Sequence, residues 1–207
     1  MSVLPPGYPH ELERDVVDDR GFAYRLRPIR PDDAERLIAF HASLSTRSTY
    51  LRYFRVHPEL SADELERFTH VDYRDRLALV VERDGVLLAV GRFDRPQGTA
   101  EAEVAFVVAD EYQHHGIGML LLDELAAAAR ARGVTSFVAE TLAENRGMIQ
   151  VFSGSGFTVR SERDFDTVSL RFPIEATGEY RRRLAAREAR RAGPVAPSAP
   201  PEEDGTC

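Results

Sequence analysis

What this 207-residue sequence lacks narrows what the chain can be. Lysine is absent, so all 27 basic residues are arginine. Two readings of that bias stand side by side: arginine- and alanine-rich coding in a GC-rich genome, or a protein that modifies lysines and offers none of its own. The single cysteine, Cys207, is the last residue, which argues against a disulfide framework or a cysteine-rich metal site. It also stands in the wrong place for a prenylation box. No stretch approaches the roughly 18 consecutive apolar residues of a membrane span. Met1–His10 lacks the basic and apolar regions of a signal peptide. A cytoplasmic protein without a membrane partner is therefore expected.

The formal net charge of −7 disfavours nonspecific attachment to nucleic acid, and none is expected as a partner. Hydrophobic residues make up 43% of the chain, enough for a core without covalent staples. Residues 1–20 read as a flexible N-terminal arm, and residues 21–174 as the folded domain. Residues 175–192 read as a basic C-terminal helix, solvated and salt-bridged, and 193–207 as a disordered tail rich in Pro, Ala and acidic residues.

Inside the domain the pattern is mixed. Ala23–Ile29 alternates as a strand. Pro31-Asp32-Asp33 opens a helix continued by Leu37, Ile38 and Leu44, and Ser61-Ala62-Asp63-Glu64 is a capping-box start for another. Asp84-Gly85 between two apolar runs is a hairpin signal, and Glu101–Val108 is the next strand. Gly116–Arg132 is an amphipathic helix with Gly133 suited to its C-cap. Phe137–Leu142 reads as a strand, Asn145–Ser155 as a helix, and strand-like runs lie around Phe157 and Val168–Phe172. The class is α/β, with an α+β mixed sheet.

The informative segment joins the strand Glu103–Val108 to Gln113-His114-His115-Gly116-Ile117-Gly118 and then directly to a long helix. Glycines let successive N–H groups converge, and the helix start behind them leaves unpaired donors and partial positive charge. A pyrophosphate suits such a place without a cationic side chain. The third glycine of a dinucleotide fingerprint is missing, because Leu121 stands there, and a phosphate-binding Gly-Lys pair is impossible without lysine.

Gln113, Gly116 and Gly118 resemble the [Gln/Arg]-x-x-Gly-x-[Gly/Ala] signature of the GNAT superfamily of N-acetyltransferases. Asn145-Arg146-Gly147-Met148 is similar to the family's Asn-x-x-Met/Ala helix start, and the helix ends in Gly156-Phe157 as the family's does. Leu26–Ala34 resembles its first strand and helix. Within the superfamily the closest likeness is to bacterial Pat-type protein lysine acetyltransferases, carried by Ser48–Phe54, Phe68–Tyr73 and Ala102–Phe106. The resemblance implies a central, mostly antiparallel sheet splayed between its fourth and fifth strands and flanked by helices. It implies acetyl-CoA as cosubstrate and no metal. Backbone groups of Phe106, Val107 and Val108 would bond the pantetheine, and N–H groups of His114, His115, Gly116, Ile117, Gly118 and Met119 the pyrophosphate. Asn145 would hold the pantetheine arm, a role compatible with an ordinary N-cap.

An amine must be neutral to attack a thioester, and the resemblance implies Glu103 as the general base. Partial burial among Val104, Ala105 and Phe106 should raise its pKa; Glu101, on the same face, is the second candidate. The tyrosine that serves many relatives as general acid is replaced by Phe152, which leaves a contact with the cofactor but no proton to give. Either the thiol leaves without that help, as its modest basicity allows, or another group such as Ser153 or water serves. His114 and His115, without a third ligand at helical spacing, read as solvent-exposed loop residues and not as a metal site. Tyr50, Tyr53, Phe54, Phe68 and Tyr73 are either helix core or a wall for the acceptor. The acceptor is expected to be a protein lysine; a small amine held in an acidic pocket, or a noncatalytic acyl-CoA sensor, are the alternatives. The oligomeric state is left open.

Overall fold

A computed structural model of the protein describes residues 4–18 and 20–191. The strands are β1 (Arg14–Val17), β2 (Ala23–Pro28), β3 (Arg76–Arg83), β4 (Val86–Asp94), β5 (Glu101–Val108), β6 (Ser136–Leu142), β7 (Arg160–Asp164) and β8 (Thr167–Pro173). The helices are α1 (Ala34–Ser43), α2 (Thr46–Tyr53), α3 (Ala62–Thr69), α4 (Ile117–Ala131), α5 (Arg146–Gly154) and α6 (Gly178–Arg191). The strands form one sheet in the order β1-β2-β3-β4-β5-β6-β8-β7. Every pairing is antiparallel except β5 with β6. None of the described helices is long and apolar enough to cross a membrane.

Helices cover both faces of the sheet, so β3 is apolar on both. Leu77, Leu79 and Val81 join the larger core with Leu121 and Leu125 of α4, while Ala78 and Val80 join Leu37 and Phe40 of α1. Local chemistry sets the connections. Asp84 and Gly85 both have positive φ, as a tight hairpin turn demands. Ser61 and Glu64 exchange side-chain and backbone bonds across the first turn of α3. Gly133, with φ of 79°, follows α4. Pro31–Asp33 is a 3₁₀ turn ahead of α1, not its first turn. The reason is Asp33: its buried carboxylate pairs with Arg27 of β2 through two bonds of 2.6 and 2.7 Å, clasping strand to helix.

Two further expectations need correction. The flexible arm expected over residues 1–20 is, over its described part, woven into the sheet. β1 pairs with β2 from Arg14↔Leu26 to Val17↔Ala23, and Tyr8, Val16 and Asp18 are buried. A four-residue strand that opens with Arg14-Asp15 is too short to show a period. The polar segment Thr46–Tyr53, not assigned from the sequence, forms α2, started by Ser45, whose hydroxyl accepts from the Ser48 N–H. Second, the basic C-terminal helix is not a solvated tail. α6 buries Tyr180 and Arg187 against the body of the domain. The tail expected over 193–207 lies outside the described residues.

Candidate functional site

The parallel ladder between β5 and β6 runs only from Glu101↔Ser136 through Glu103↔Val138. Beyond that point each strand keeps its outer partner: β5 stays with β4 to Val108↔Ala89, and β6 stays with β8 to Leu142↔Thr167. The two strands therefore part, and the main chain of each faces a wedge. The extra strand β1 makes them fifth and sixth in the sheet, but they are the two segments expected to splay. A cavity of about 670 Å³ occupies the wedge, between β5, β6, the start of α4, and α5.

Of the residues singled out from the sequence, Phe106, Val107, Val108, Gln113, His114, Gly116, Gly118, Met119, Asn145 and Phe152 all line this cavity. Gly116 has φ of 81° and caps α4 without a side chain, so the helix opens with its donors uncovered by any capping group of that residue. His114 is left-handed as well, with φ of 64°. A Cβ on Gly118 would stand 3.4 Å from both the Phe106 ring and the Val151 side chain, so that wall is already packed tight. Across the cavity, Asn145 caps α5 by accepting from the Met148 N–H at 3.2 Å. The amide nitrogen of its side chain is left for other partners. The Thr141 hydroxyl, in the cavity wall on β6, is buried and has no hydrogen-bond partner among the described residues. Splayed strand edges, a helix start capped by a glycine and a buried hydroxyl in the wall together suit a long polar ligand with an anionic end.

Gln113 does more than begin the motif. Its side-chain amide donates to the Val108 carbonyl (3.2 Å) and to the Ser48 hydroxyl (3.1 Å). It thereby uses one of the two acceptor positions on a carbonyl expected to face the ligand. The Ser45 and Ser48 hydroxyls donate to Asp110 at 2.7 and 2.8 Å, and the Ser45 N–H donates to it at 2.9 Å. Burial alone would raise the Asp110 pKa, but these donors hold it below the ordinary carboxylate value. The network straps α2 to the loop after β5.

His115 and Ile117 are absent from the cavity wall. His115 is buried rather than exposed, which corrects the loop-surface reading. Its Nδ1 lies 3.0 Å from Asp18, which also accepts from the Tyr24 hydroxyl and from the N–H groups of Arg20 and Phe22. Burial opposes ionisation of Asp18, yet these donors bring its pKa below the usual range. The N-terminal strand thus fastens the anion-type loop from behind. Among the described residues no cluster of three or more His, Cys, Asp or Glu could hold a metal.

Glu103 stands where the strands part, but the partial burial expected of it is not there: its side chain is exposed and outside the cavity wall. It shares a face with Ala105 and Val107, towards α2. Half-buried Arg52 is close enough to feel its charge; burial pushes the Arg52 pKa down, and Tyr53, Glu103 and Asp94 oppose that shift. Glu101 is committed elsewhere, to Arg171 at 3.2 Å and to the Ser136 hydroxyl. A carboxylate not singled out from the sequence, Glu140 of β6, does line the cavity. Only its position on the strand opposite Glu103 could have suggested it.

Phe152 is buried against Phe106 and Phe172. Ser153 turns back to the Gln150 carbonyl and does not reach the cavity. Tyr53 and Phe68 flank a small second cavity with Arg52 and Arg92, whereas Tyr73 is core and donates to the Ile29 carbonyl. The Arg92 guanidinium lies 3.8 Å over the Phe68 ring. Three acidic residues that could have built a cationic-amine pocket are engaged in turns and ion pairs. Asp72 caps the turn at Arg74–Arg76, Asp75 pairs with Arg95, and Asp94 pairs with Arg76.

Residues 36–157 match the model of the acetyltransferase (GNAT) family. The chain is 35% identical over 136 residues to the acetyltransferase Pat of Mycolicibacterium smegmatis, covering 64% of this chain and 40% of that one. It is 30% identical over 153 residues to an acetyltransferase of Pseudomonas aeruginosa, covering 72% of this chain and 82% of that one. Among solved structures, the GNAT domain of S. lividans PAT superposes with a TM-score of 0.76 at 41% identity, covering 80% of this chain and 99% of that one. The chain thus spans less than half the length of the mycobacterial relative.

Proposed function

The chain belongs to the GNAT acetyltransferase family, and from that premise we propose that it transfers the acetyl group of acetyl-CoA to lysine side chains of proteins. The observation that carries the reading is the end of β5–β6 pairing at Glu103↔Val138, with the cavity beyond it. Acetyl-CoA, when bound, supplies an acyl thioester and a diphosphate. The unpaired edges of β5 and β6 offer main-chain donors and acceptors to the arm that carries the thioester. The N–H groups from His114 to Met119 suit the diphosphate, and the Asn145 amide faces the arm from α5.

The acceptor nitrogen arrives from the α2 side, past Glu103. A lysine has a pKa of about 10.4, so at pH 7 only about one in a few thousand is neutral. Glu103, directly or through water, accepts the proton and makes attack by the neutral amine the common event. With a phenylalanine at position 152, the thiol departs without a tyrosine donor; a thiol's modest basicity makes that tolerable. Cys207 takes no part, so the amine attacks in a ternary complex.

A protein acceptor is favoured over a small cationic amine because Glu103 is exposed, where a side chain of another protein can reach it. In addition, Asp72, Asp75 and Asp94 are committed to turns and ion pairs rather than to an acidic pocket. Incubation with acetyl-CoA and a host lysate, followed by mass spectrometry, should reveal acetylated lysines. An empty lysate alongside thiol release with small amines would overturn the protein acceptor. One observation favours a second base: Glu140 lines the cavity and Glu103 does not. The Glu103→Gln and Glu140→Gln variants separate the two.

A further inference from the structure

The basic helix α6 lies beyond the segment that matches the family, yet it forms part of the cavity. Arg183, Ala186 and Arg187 line it beside Gly154, at the C-terminal end of α5. Its seat is specific. Tyr180 stacks on Phe157 with ring centres 4.4 Å apart. A Cβ on Gly156 would meet Arg183 Cδ at 2.9 Å and Tyr180 Cα at 3.2 Å, so the helix rests directly on the turn after α5.

The two arginines of this wall differ in what they have left to give. Arg187 is buried and donates to both Asp123 oxygens at 3.0 and 2.6 Å, and to the Ser155 carbonyl at 3.3 Å. Its charge is neutralised, and it positions the helix. Arg183 is exposed at the rim. One nitrogen donates weakly to the Gly154 carbonyl at 3.4 Å, and the other meets Glu179 at 2.9 Å in an exposed pair one helical turn away. Such a pair contributes only a few tenths of a kcal/mol, so a doubly charged anion competes for the guanidinium on favourable terms.

We infer that Arg183 is a binding residue for a phosphate monoester carried at the far end of the ligand, the 3′-phosphate of coenzyme A. The inference rests on the acetyl-CoA reading. It separates the two anionic groups of that ligand: main-chain amides at the start of α4 take the diphosphate, and a side chain of α6 takes the monoester. The planar guanidinium suits the second task, since it meets a phosphate with two parallel donors.

Titration calorimetry with coenzyme A and with 3′-dephospho-coenzyme A tests it on the full chain. The unaltered protein should prefer coenzyme A by about tenfold. Arg183→Ala should remove that preference by weakening coenzyme A alone, and Arg183→Lys should restore part of it. Arg181→Ala, an exposed position on the same helix outside the cavity wall, should keep the preference intact. Equal affinity of the unaltered protein for the two ligands overturns the inference while leaving the acetyl-CoA reading in place. So does a parallel loss for both ligands in Arg183→Ala. If the unaltered protein takes up neither ligand, the reading beneath it falls and the inference goes with it.

Discussion

The two lips of the cleft are made from different materials. On the donor lip, main-chain groups dominate: the parted edge of β5, the left-handed His114 and Gly116, and a start of α4 whose N-cap is a glycine. On the acceptor lip, side chains dominate: Glu103 and Arg52 at the mouth, with Asp110, Ser45, Ser48 and Gln113 strapping α2 in place behind them. A main-chain site is set by shape, so it fails when something fills it or bends it. A side-chain site is set by charge, so it fails when a proton or a carboxylate is removed. Binding of the cosubstrate and transfer of its acyl group should therefore be separable by substitution.

The largest separation is expected at the acceptor lip. Glu103→Gln keeps the size of the side chain and removes its basicity, and it should lower kcat roughly 10²–10⁴-fold while coenzyme A affinity stays nearly constant. Steady-state kinetics with calorimetry on one preparation reads both quantities. If Glu140→Gln produces that loss and Glu103→Gln does not, the base belongs to β6. If Glu103→Gln weakens cosubstrate binding by the same factor as turnover, the two lips are not independent.

The donor lip should break in the opposite sense. In Gly118→Val the added carbons meet Phe106 and Val151, where even a Cβ is in close contact. Relieving that crowding pushes side chains into the space the ligand would take, and a cost of about 1–3 kcal/mol falling on the bound state weakens coenzyme A by roughly 5- to 150-fold. Acid-base behaviour, read as the pH profile of kcat at saturating cosubstrate, should not move. A normal affinity in Gly118→Val would show that the cosubstrate does not pass this wall.

The contrast also explains what could be read in advance. Features that live in a few consecutive residues were legible: the Asp84-Gly85 turn, the Ser61–Glu64 capping box, the Gln113–Gly118 segment and the Asn145 cap. Each is fixed by what one short stretch of backbone needs. The acceptor lip is assembled across long separations. Ser48 meets Asp110 from 62 positions away, and behind the donor lip Asp18 meets His115 from 97 in the same way. No local pattern announces such pairs. Thr46–Tyr53 gave no apolar period, because it is held by its Ser45 cap and by Asp110 more than by an apolar face. The seat of α6 was hidden for the same reason, since Arg187 and Asp123 lie 64 positions apart.

A smaller effect is expected where the lips meet. Asp110→Asn removes the charge that gathers the Ser45 and Ser48 donors, and it should cost about 1 kcal/mol in urea unfolding at neutral pH. The carboxylate's pKa is depressed in the folded state, so its contribution is present above the unfolded value of about 3.9 and lost as pH falls through the folded one. Stability of the unaltered protein should therefore fall more steeply in acid than that of Asp110→Asn. Because the strap positions α2, the KM of the acceptor should rise in this variant while coenzyme A affinity holds.

The smallest effect belongs to the acceptor lip alone and concerns His41 of α1. It is buried, its ring centre lies 5.3 Å from that of His57 and 5.6 Å from that of Tyr53, and its Nε2 has no hydrogen-bond partner among the described residues. Burial and then the charge of His57 lower its pKa, with Glu64 opposing them. A histidine held neutral by the fold costs nothing at pH 8. As pH drops through about 6.5, the unfolded chain takes up the proton first, so stability is lost from there down to the lowered folded value. The protection factors of α1 and α2 amides, taken relative to intrinsic exchange at each pH, should fall between pH 7 and pH 5, while those of α4 amides hold. His41→Asn should abolish the difference. Equal loosening of α4 over that range would mean that the packing beneath α1 and α2 is continuous with the donor lip, and that the two lips soften as one.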